Sequence, residues 1–240
     1  MASGRGYRAP RCERCGLLPT DCMCAELPRV SSRIATTFVL HFREWNKPTN
    51  TAKVASLMLG DNSTVLLRGA PSREAAFEAE SQLDAIDATN ALILYPSDTA
   101  TSLDELVAQG AFDAPGGLRL VVPDGTWSQT RRVVRRHQAL QHLPHIKLPM
   151  QTSRYRLRRG TQAGLLCTLE AVGLALSVLD PAFDYATYMG GFVEWQNRAW
   201  GRRWGYGATT DARTTEQEAA EQEAAEQEAA EQEAAEQQAE

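Results

Sequence analysis

Apolar and polar positions along this chain fall into short alternating blocks. Ile34–Leu40 is a β-branched, apolar run, Thr51–Leu59 follows with helical spacing, and Thr64–Leu67 is a second short apolar run. The Ala/Glu-rich stretch from Ser72 to about Asp87 predicts a helix, Ala91–Tyr95 a third strand, Ser102–Gln109 a short helix and Leu118–Val122 a fourth strand. Ser128–His137 again has helical spacing, and Leu165–Leu179 is an almost wholly apolar helix interrupted by Glu170. His145–Leu148, flanked by prolines, is a further strand candidate. Strands alternating with helices predict an α/β fold, a mostly parallel sheet covered by helices on both faces.

The two ends break this pattern. Residues 1–30 are rich in Cys, Arg, Pro and Gly and show no helical or strand period, as expected of a small metal-pinned module. From Thr215 onward the chain repeats Glu-Gln-Glu-Ala-Ala. A period of five matches neither about 3.6 nor about 3.5, so the alanines spiral around any helix and leave no face to bury. The expected organisation is a zinc-binding module at 1–30, a catalytic domain at 31–210 and an acidic low-complexity tail at 211–240. The tail reads as a solvated segment; the alternative is that it competes with RNA for a basic body.

Charge sharpens that division. The whole chain carries −5, which taken alone argues against a nucleic-acid partner. Residues 211–240, however, hold eleven acids and one base, leaving 24 Lys+Arg against 19 Asp+Glu, a net +5, for residues 1–210. Met1–Pro10 is polar and basic, without the apolar stretch of a secretory signal. Leu165–Leu179 is too short to span a bilayer. A cytoplasmic protein is expected, with no membrane and no obligatory protein partner.

Four of the five cysteines lie within Cys12–Cys24, spaced Cys12-x2-Cys15-x6-Cys22-x-Cys24. In a reducing compartment, thiols this close point to a metal rather than to disulfides. Four thiolates suit tetrahedral Zn²⁺, and a closed four-sulfur site leaves no open coordination position, so its expected role is structural. Chelation is expected to unfold residues 1–30 and weaken RNA binding without touching the cofactor pocket. Cys167 is distant and reads as an ordinary buried thiol.

The chemistry concentrates at Asp124-Gly125-Thr126-Trp127, after the fourth strand and a proline. The carboxyl edge of such a sheet is where ligands bind. The turn offers a carboxylate, a hydroxyl and an indole, with a glycine that lets the backbone approach a ligand closely. Immediately beyond, at about 100° per residue, Arg131, Arg132, Arg135 and Arg136 share one helical face, opposite Val133 and Val134. A second cluster is Arg154, Arg156, Arg158 and Arg159 with Tyr155, and a third is Arg198, Arg202 and Arg203 among Trp195, Trp200 and Trp204. Arginine reads phosphate bidentately and stacks on bases, so the body is expected to bind RNA. His41, His137, His142 and His145 form no metal-ligand spacing with a carboxylate and read as surface or turn residues, His41 the possible exception.

In this setting the chain resembles the DTW-domain family, the tRNA-uridine aminocarboxypropyltransferases, over roughly residues 10–205. Six blocks carry the resemblance: the cysteine module followed by Pro28; His41-Phe42-Arg43-Glu44; Lys47 with Asn50-Thr51-Ala52; Leu94-Tyr95-Pro96-Ser97-Asp98; Asp124–Trp127; and Arg156-Leu157-Arg158-Arg159 followed by Leu166-Cys167-Thr168-Leu169-Glu170-Ala171. Phe42 and Cys167 stand where the family usually has proline and serine. The resemblance implies a fold related to the knotted SPOUT-type enzymes; the periodicity itself shows no knot. It also implies transfer of the 3-amino-3-carboxypropyl group of S-adenosylmethionine to uridine N3 in tRNA, with release of methylthioadenosine.

On that reading Asp124 either takes the N3 proton or holds the uracil edge and the sulfonium, and an Asx-turn or helix cap is compatible with both. Thr126 either donates to the cofactor or caps the helix, and Trp127 either stacks on a base or packs at the strand end. Asn50, Thr51, Tyr95, Pro96, Ser97, Gly125, Thr168 and Glu170 complete the expected cofactor site, with turn and helix-dipole roles as their structural alternatives. The competing readings are a zinc-knuckle RNA-binding protein without catalysis and a SPOUT-type methyltransferase.

Overall fold

A computed structural model describes residues 10–69, 72–108, 117–157 and 166–204. The expected acidic tail, and Arg158 and Arg159, lie outside the described residues. The elements run β1 (Ala35–His41), α1 (Phe42–Trp45), α2 (Thr51–Leu59), β2 (Ser63–Arg68), α3 (Arg73–Asp84), β3 (Ala91–Leu94), β4 (Thr101–Ser102), α4 (Leu103–Ala108), β5 (Arg119–Asp124), α5 (Trp127–Arg136), α6 (Gln138–His142), β6 (His145–Lys147), α7 (Thr168–Leu179) and α8 (Tyr185–Trp204). They build a six-stranded sheet in the order β2-β1-β5-β3-β6-β4, every adjacent pair parallel.

Strand alternation divides the core in two. Phe38, Leu40, Leu92, Leu120 and Val122 point to a face covered by α2, α4, α7 and α8, into which Cys15, Leu17, Met23 and Leu27 of the cysteine module are also packed. Val39, Ala91, Ile93 and Val121 point to the opposite face, beneath Ala79 and Leu83 of α3, Val133 and Val134 of α5, and Leu140 of α6. Both sides of each central strand are buried, which is why the runs read as continuously apolar.

Local chemistry sets the helix ends. The Asn50 side chain accepts the Lys53 N–H at 2.9 Å and caps α2, while Gly60, at φ +57°, ends it. Ser72 caps α3 by accepting the Ala75 N–H at 3.1 Å.

The expected strands and helices are present, α2 with the predicted bounds and the others with an end shifted by a residue or more, including the proline-flanked β6. The predicted alternation, which stops at Leu179, does not contain α8. This 20-residue helix buries Tyr188, Phe192 and Trp195 completely. Its two consecutive glycines argue against a helix by propensity. Gly191 explains the exception: a Cβ there would lie 2.7 Å from both Met58 Sδ and the Pro28 ring, so the glycine permits close packing onto α2.

Candidate functional site

Asp124 closes β5 beside Leu40 of β1, at the carboxyl edge of the sheet. Its Oδ2 accepts from Asn50 Nδ2 at 2.6 Å, and its Oδ1 accepts the Thr168 hydroxyl. Asn50 is the N-cap of α2 and Thr168 the first residue of α7. One half-buried carboxylate is therefore bound to the starts of two helices, whose positive ends favour an anion.

The rest of the turn divides its work. Gly125 has φ +151°, and a Cβ there would meet Gln129 Oε1 at 3.0 Å. Thr126 forms a capping box with Gln129: its Oγ1 accepts the Gln129 N–H at 3.3 Å, and its own N–H donates to Gln129 Oε1 at 2.7 Å. Of the two expected uses of Thr126, the structure shows the cap. Trp127 is 49% exposed, so it is not packed in the core.

The other expected site residues lie in α2, in α7 and in the turn after β3. Thr51 is buried, as is the Cys167 thiol. Burial, aided by the nearby Glu170 charge, pushes that thiol well above its usual pKa. Glu170, 3% exposed, accepts the Cys167 N–H at 2.9 Å, the Ser153 hydroxyl at 2.7 Å and the Arg154 N–H at 2.6 Å. It thereby clamps the segment 151–157 to the start of α7. The Tyr155 hydroxyl, in turn, donates to the Thr49 carbonyl at 2.6 Å. At the end of β3, Ser97 Oγ lies 2.7 Å from His145 Nδ1, with the Tyr95 ring edge-on to the same imidazole, while Pro96 is exposed. Ser153, Tyr155 and His145 carry no local sequence signal of these bonds, because their partners are 17, 106 and 48 residues away. His41 Nδ1 accepts the Arg43 N–H at 3.2 Å and caps α1.

The arginine clusters separate by partner. Arg131, Arg132, Arg135 and Arg136 are all exposed, and among the described residues none has a salt-bridge partner. With Trp127 and Ser128 they line an open groove of about 600 Å³. Arg154 and Arg156 are exposed, the latter 5.5 Å from the Trp200 ring centroid. Arg198 is instead ion-paired with Glu26 and Glu194, and Trp195 and Tyr155 are buried. Those three belong to the scaffold, not to an RNA-stacking surface. His137, expected as a surface or turn residue, lies at the junction of α5 and α6, where it is 8% exposed and bonds Glu80 at 3.1 Å.

The four clustered cysteines converge, with every sulfur within 4.8 Å of the others. Cys12–Cys24 and Cys15–Cys22 are separated by 3.5 and 3.8 Å. A tetrahedron of zinc–sulfur bonds of about 2.3 Å has an edge of about 3.8 Å, so the donor set fits zinc. Burial raises the thiols of Cys15 and Cys24. At Cys12 burial is outweighed by the N–H groups of Cys15 and Arg14 and by the thiols of Cys24 and Cys22, which bring it down to about 6. Among the described residues no helix is long and apolar enough to cross a membrane.

Comparison with known proteins agrees with this picture. The DTW domain matches residues 9–198. A Macaca fascicularis protein named tRNA-uridine aminocarboxypropyltransferase 2 is 28% identical over 178 residues, covering 72% of this chain and 57% of its own length. The Drosophila melanogaster protein of that name is 29% identical over 176 residues, covering 72% and 68%. The Mus musculus protein is 28% identical over 179 residues, covering 72% and 57%. The matched part thus spans only 57–68% of these curated relatives. No solved structure matches the chain.

Proposed function

The chain belongs to the DTW domain family, and on that premise we propose that it transfers the 3-amino-3-carboxypropyl group of S-adenosylmethionine to uridine N3 in tRNA. The observation that carries the reading is the Asp124 carboxylate, held by Asn50 and Thr168 at the sheet edge, directly followed by the exposed Trp127 and its arginine groove. When bound, S-adenosylmethionine supplies an electrophilic Cγ whose bond to sulfur breaks to release methylthioadenosine.

The residues present suit such a ligand. A fixed carboxylate complements a cationic sulfonium or ammonium, and an exposed indole offers a stacking face to adenine or uracil. A carboxylate offers about four acceptor sites over its two oxygens. Asp124 is thus able to take the N3 proton as the new bond forms, while Asn50 and Thr168 keep its orientation. Orientation is the larger part of the work, since correct placement of reactants can supply about 7–11 kcal/mol of the barrier. Asn50, Thr168, Gly125 and the Tyr95-Pro96-Ser97 turn form the cofactor side; the buried Thr51 and Glu170 act from behind, Glu170 through the 151–157 segment. Arg131, Arg132, Arg135 and Arg136, with Arg154, Arg156, Arg158 and Arg159, hold the RNA backbone. The Cys12, Cys15, Cys22 and Cys24 centre binds structural zinc, and the protein acts in the cytoplasm.

The test is incubation with unmodified tRNA and carboxyl-labelled S-adenosylmethionine, followed by mass analysis of both products. Label in one uridine with methylthioadenosine release is the expected result. Release of S-adenosylhomocysteine would instead identify a methyltransferase, and tRNA binding without turnover a non-catalytic binder.

A further inference from the structure

Two sets of exposed arginines stand on opposite faces of the sheet, and both are tied to Asp124. The first is on α5, whose Val133 and Val134 enter the apolar cluster beneath it while Arg131, Arg132, Arg135 and Arg136 are exposed. The helix begins at Trp127. At about 1.5 Å per residue, Arg131 and Arg135 lie about 6 and 12 Å along the axis from that residue. The groove they line therefore starts at the Asp124–Trp127 turn and leads away from it.

The second set is Arg154 and Arg156. They alternate with Tyr155 and Leu157, which are buried in the larger cluster on the other face, and are themselves exposed. Glu170 accepts the Arg154 N–H at 2.6 Å and the Cys167 N–H at 2.9 Å, and Thr168, the next residue, donates to Asp124. By a separate route the Tyr155 hydroxyl donates to the Thr49 carbonyl at 2.6 Å, one residue before Asn50, which bonds Asp124 at 2.6 Å. The Arg156 N–H donates to Gln196 of α8 at 3.2 Å, and its guanidinium stands 5.5 Å from the Trp200 ring centroid. Such a stack orients the guanidinium and leaves its N–H groups to a phosphate. Among the described residues neither arginine is ion-paired, and the same holds for the four on α5.

We propose that one RNA strand crosses the carboxyl edge of the sheet at Asp124, with its two flanks held on opposite faces: one along the α5 groove, the other on Arg154 and the Arg156–Trp200 stack. Uridine N3 lies on the pairing edge of the base, so a base attacked there is unpaired, and a single strand can splay out one base while its backbone continues on both sides. The substrate is then an unpaired internal uridine with nucleotides on either side, and not a terminal or base-paired one. This path rests on the reading of Asp124 as the seat of the target uridine.

Equilibrium binding to the full chain, without cofactor, tests the path. The probes are short single-stranded RNAs with one uridine among adenines, placed at the 5′ end, the centre or the 3′ end. For the central-uridine RNA, Arg131→Gln with Arg135→Gln, and Arg154→Gln with Arg156→Gln, are each expected to lower the slope of log affinity against log salt by about 1.4, and all four together by about twice that. Each end-uridine RNA is expected to respond to one pair only, opposite ends to opposite pairs, with a single RNA bound per chain. Two RNAs per chain, no response to the Arg154 and Arg156 pair, or the same pair governing both ends overturns the proposal. The same RNAs are then incubated with S-adenosylmethionine. No transfer alongside the expected binding pattern removes the functional reading and leaves the strand path standing, whereas transfer to the central uridine without that pattern removes the path alone.

Discussion

The two faces of the sheet are built for different work. On one, α2, α7 and α8 pack around fully buried Phe38, Tyr188, Phe192 and Trp195. From this face come Asn50 and Thr168, the two groups that hold Asp124. On the other, a smaller apolar cluster under α3, α5 and α6 supports a helix that shows four arginines and a half-exposed indole to solvent. The turn Asp124–Trp127 passes from one to the other, so its first residue is fixed by the thick side and its last is displayed by the thin side. Chemistry that depends on orientation belongs where packing is dense, because a close-packed interior resists displacement. Binding a long, charged polymer needs exposed cations with no internal carboxylate to satisfy them.

That contrast can be broken most severely at the junction. Asp124→Ala is expected to reduce transfer by at least about 100-fold, with zinc content and tRNA affinity close to wild type. Measured turnover within about tenfold of wild type would remove Asp124 from the chemistry. A smaller effect, confined to the thin face, is expected from Arg131→Gln combined with Arg135→Gln. The slope of log affinity for tRNA against log salt should drop by about 2, while turnover at saturating tRNA is preserved. An unchanged slope would mean that the groove is only a solvated surface.

The smallest effect concerns how the thin face is held together. His137 sits between β2 and α3, with Nδ1 on Glu80, the Arg68 guanidinium on the same carboxylate, and Nε2 buried without a partner. Burial and the Arg68 charge keep its pKa below the usual 6.5, with Glu80 and Asp84 pulling the other way. Because the folded value is depressed, the unfolded chain takes up the proton first. The contribution to stability is complete above about pH 6.5 and is lost as the pH falls from there toward the folded pKa, by at most about 1.4 kcal/mol per unit. Urea unfolding of wild type and His137→Gln between pH 7 and 5 is expected to show the steeper decline in wild type. Parallel declines would place the acid sensitivity elsewhere.

Much of this molecule is legible in its amino-acid order because the governing interactions are local. The apolar runs of β1, β3 and β5, the cap at Asn50, the thiol spacing and the single arginine face of α5 each follow from residues within a few positions of one another. So does the place of Asp124 at the end of a buried strand. What the order alone left open is whatever depends on neighbours distant in the chain. Gly190–Gly191 discourages a helix by propensity, yet α8 forms because close packing at Gly191 buries large aromatic side chains. Nothing near Arg198 announces that Glu26 pairs with it from 172 residues away. The Asp124 carboxylate was recognisable from sequence; its partners at Asn50 and Thr168, 74 and 44 residues distant, were decided by tertiary structure, because only the packed sheet and helices bring those side chains to one oxygen pair.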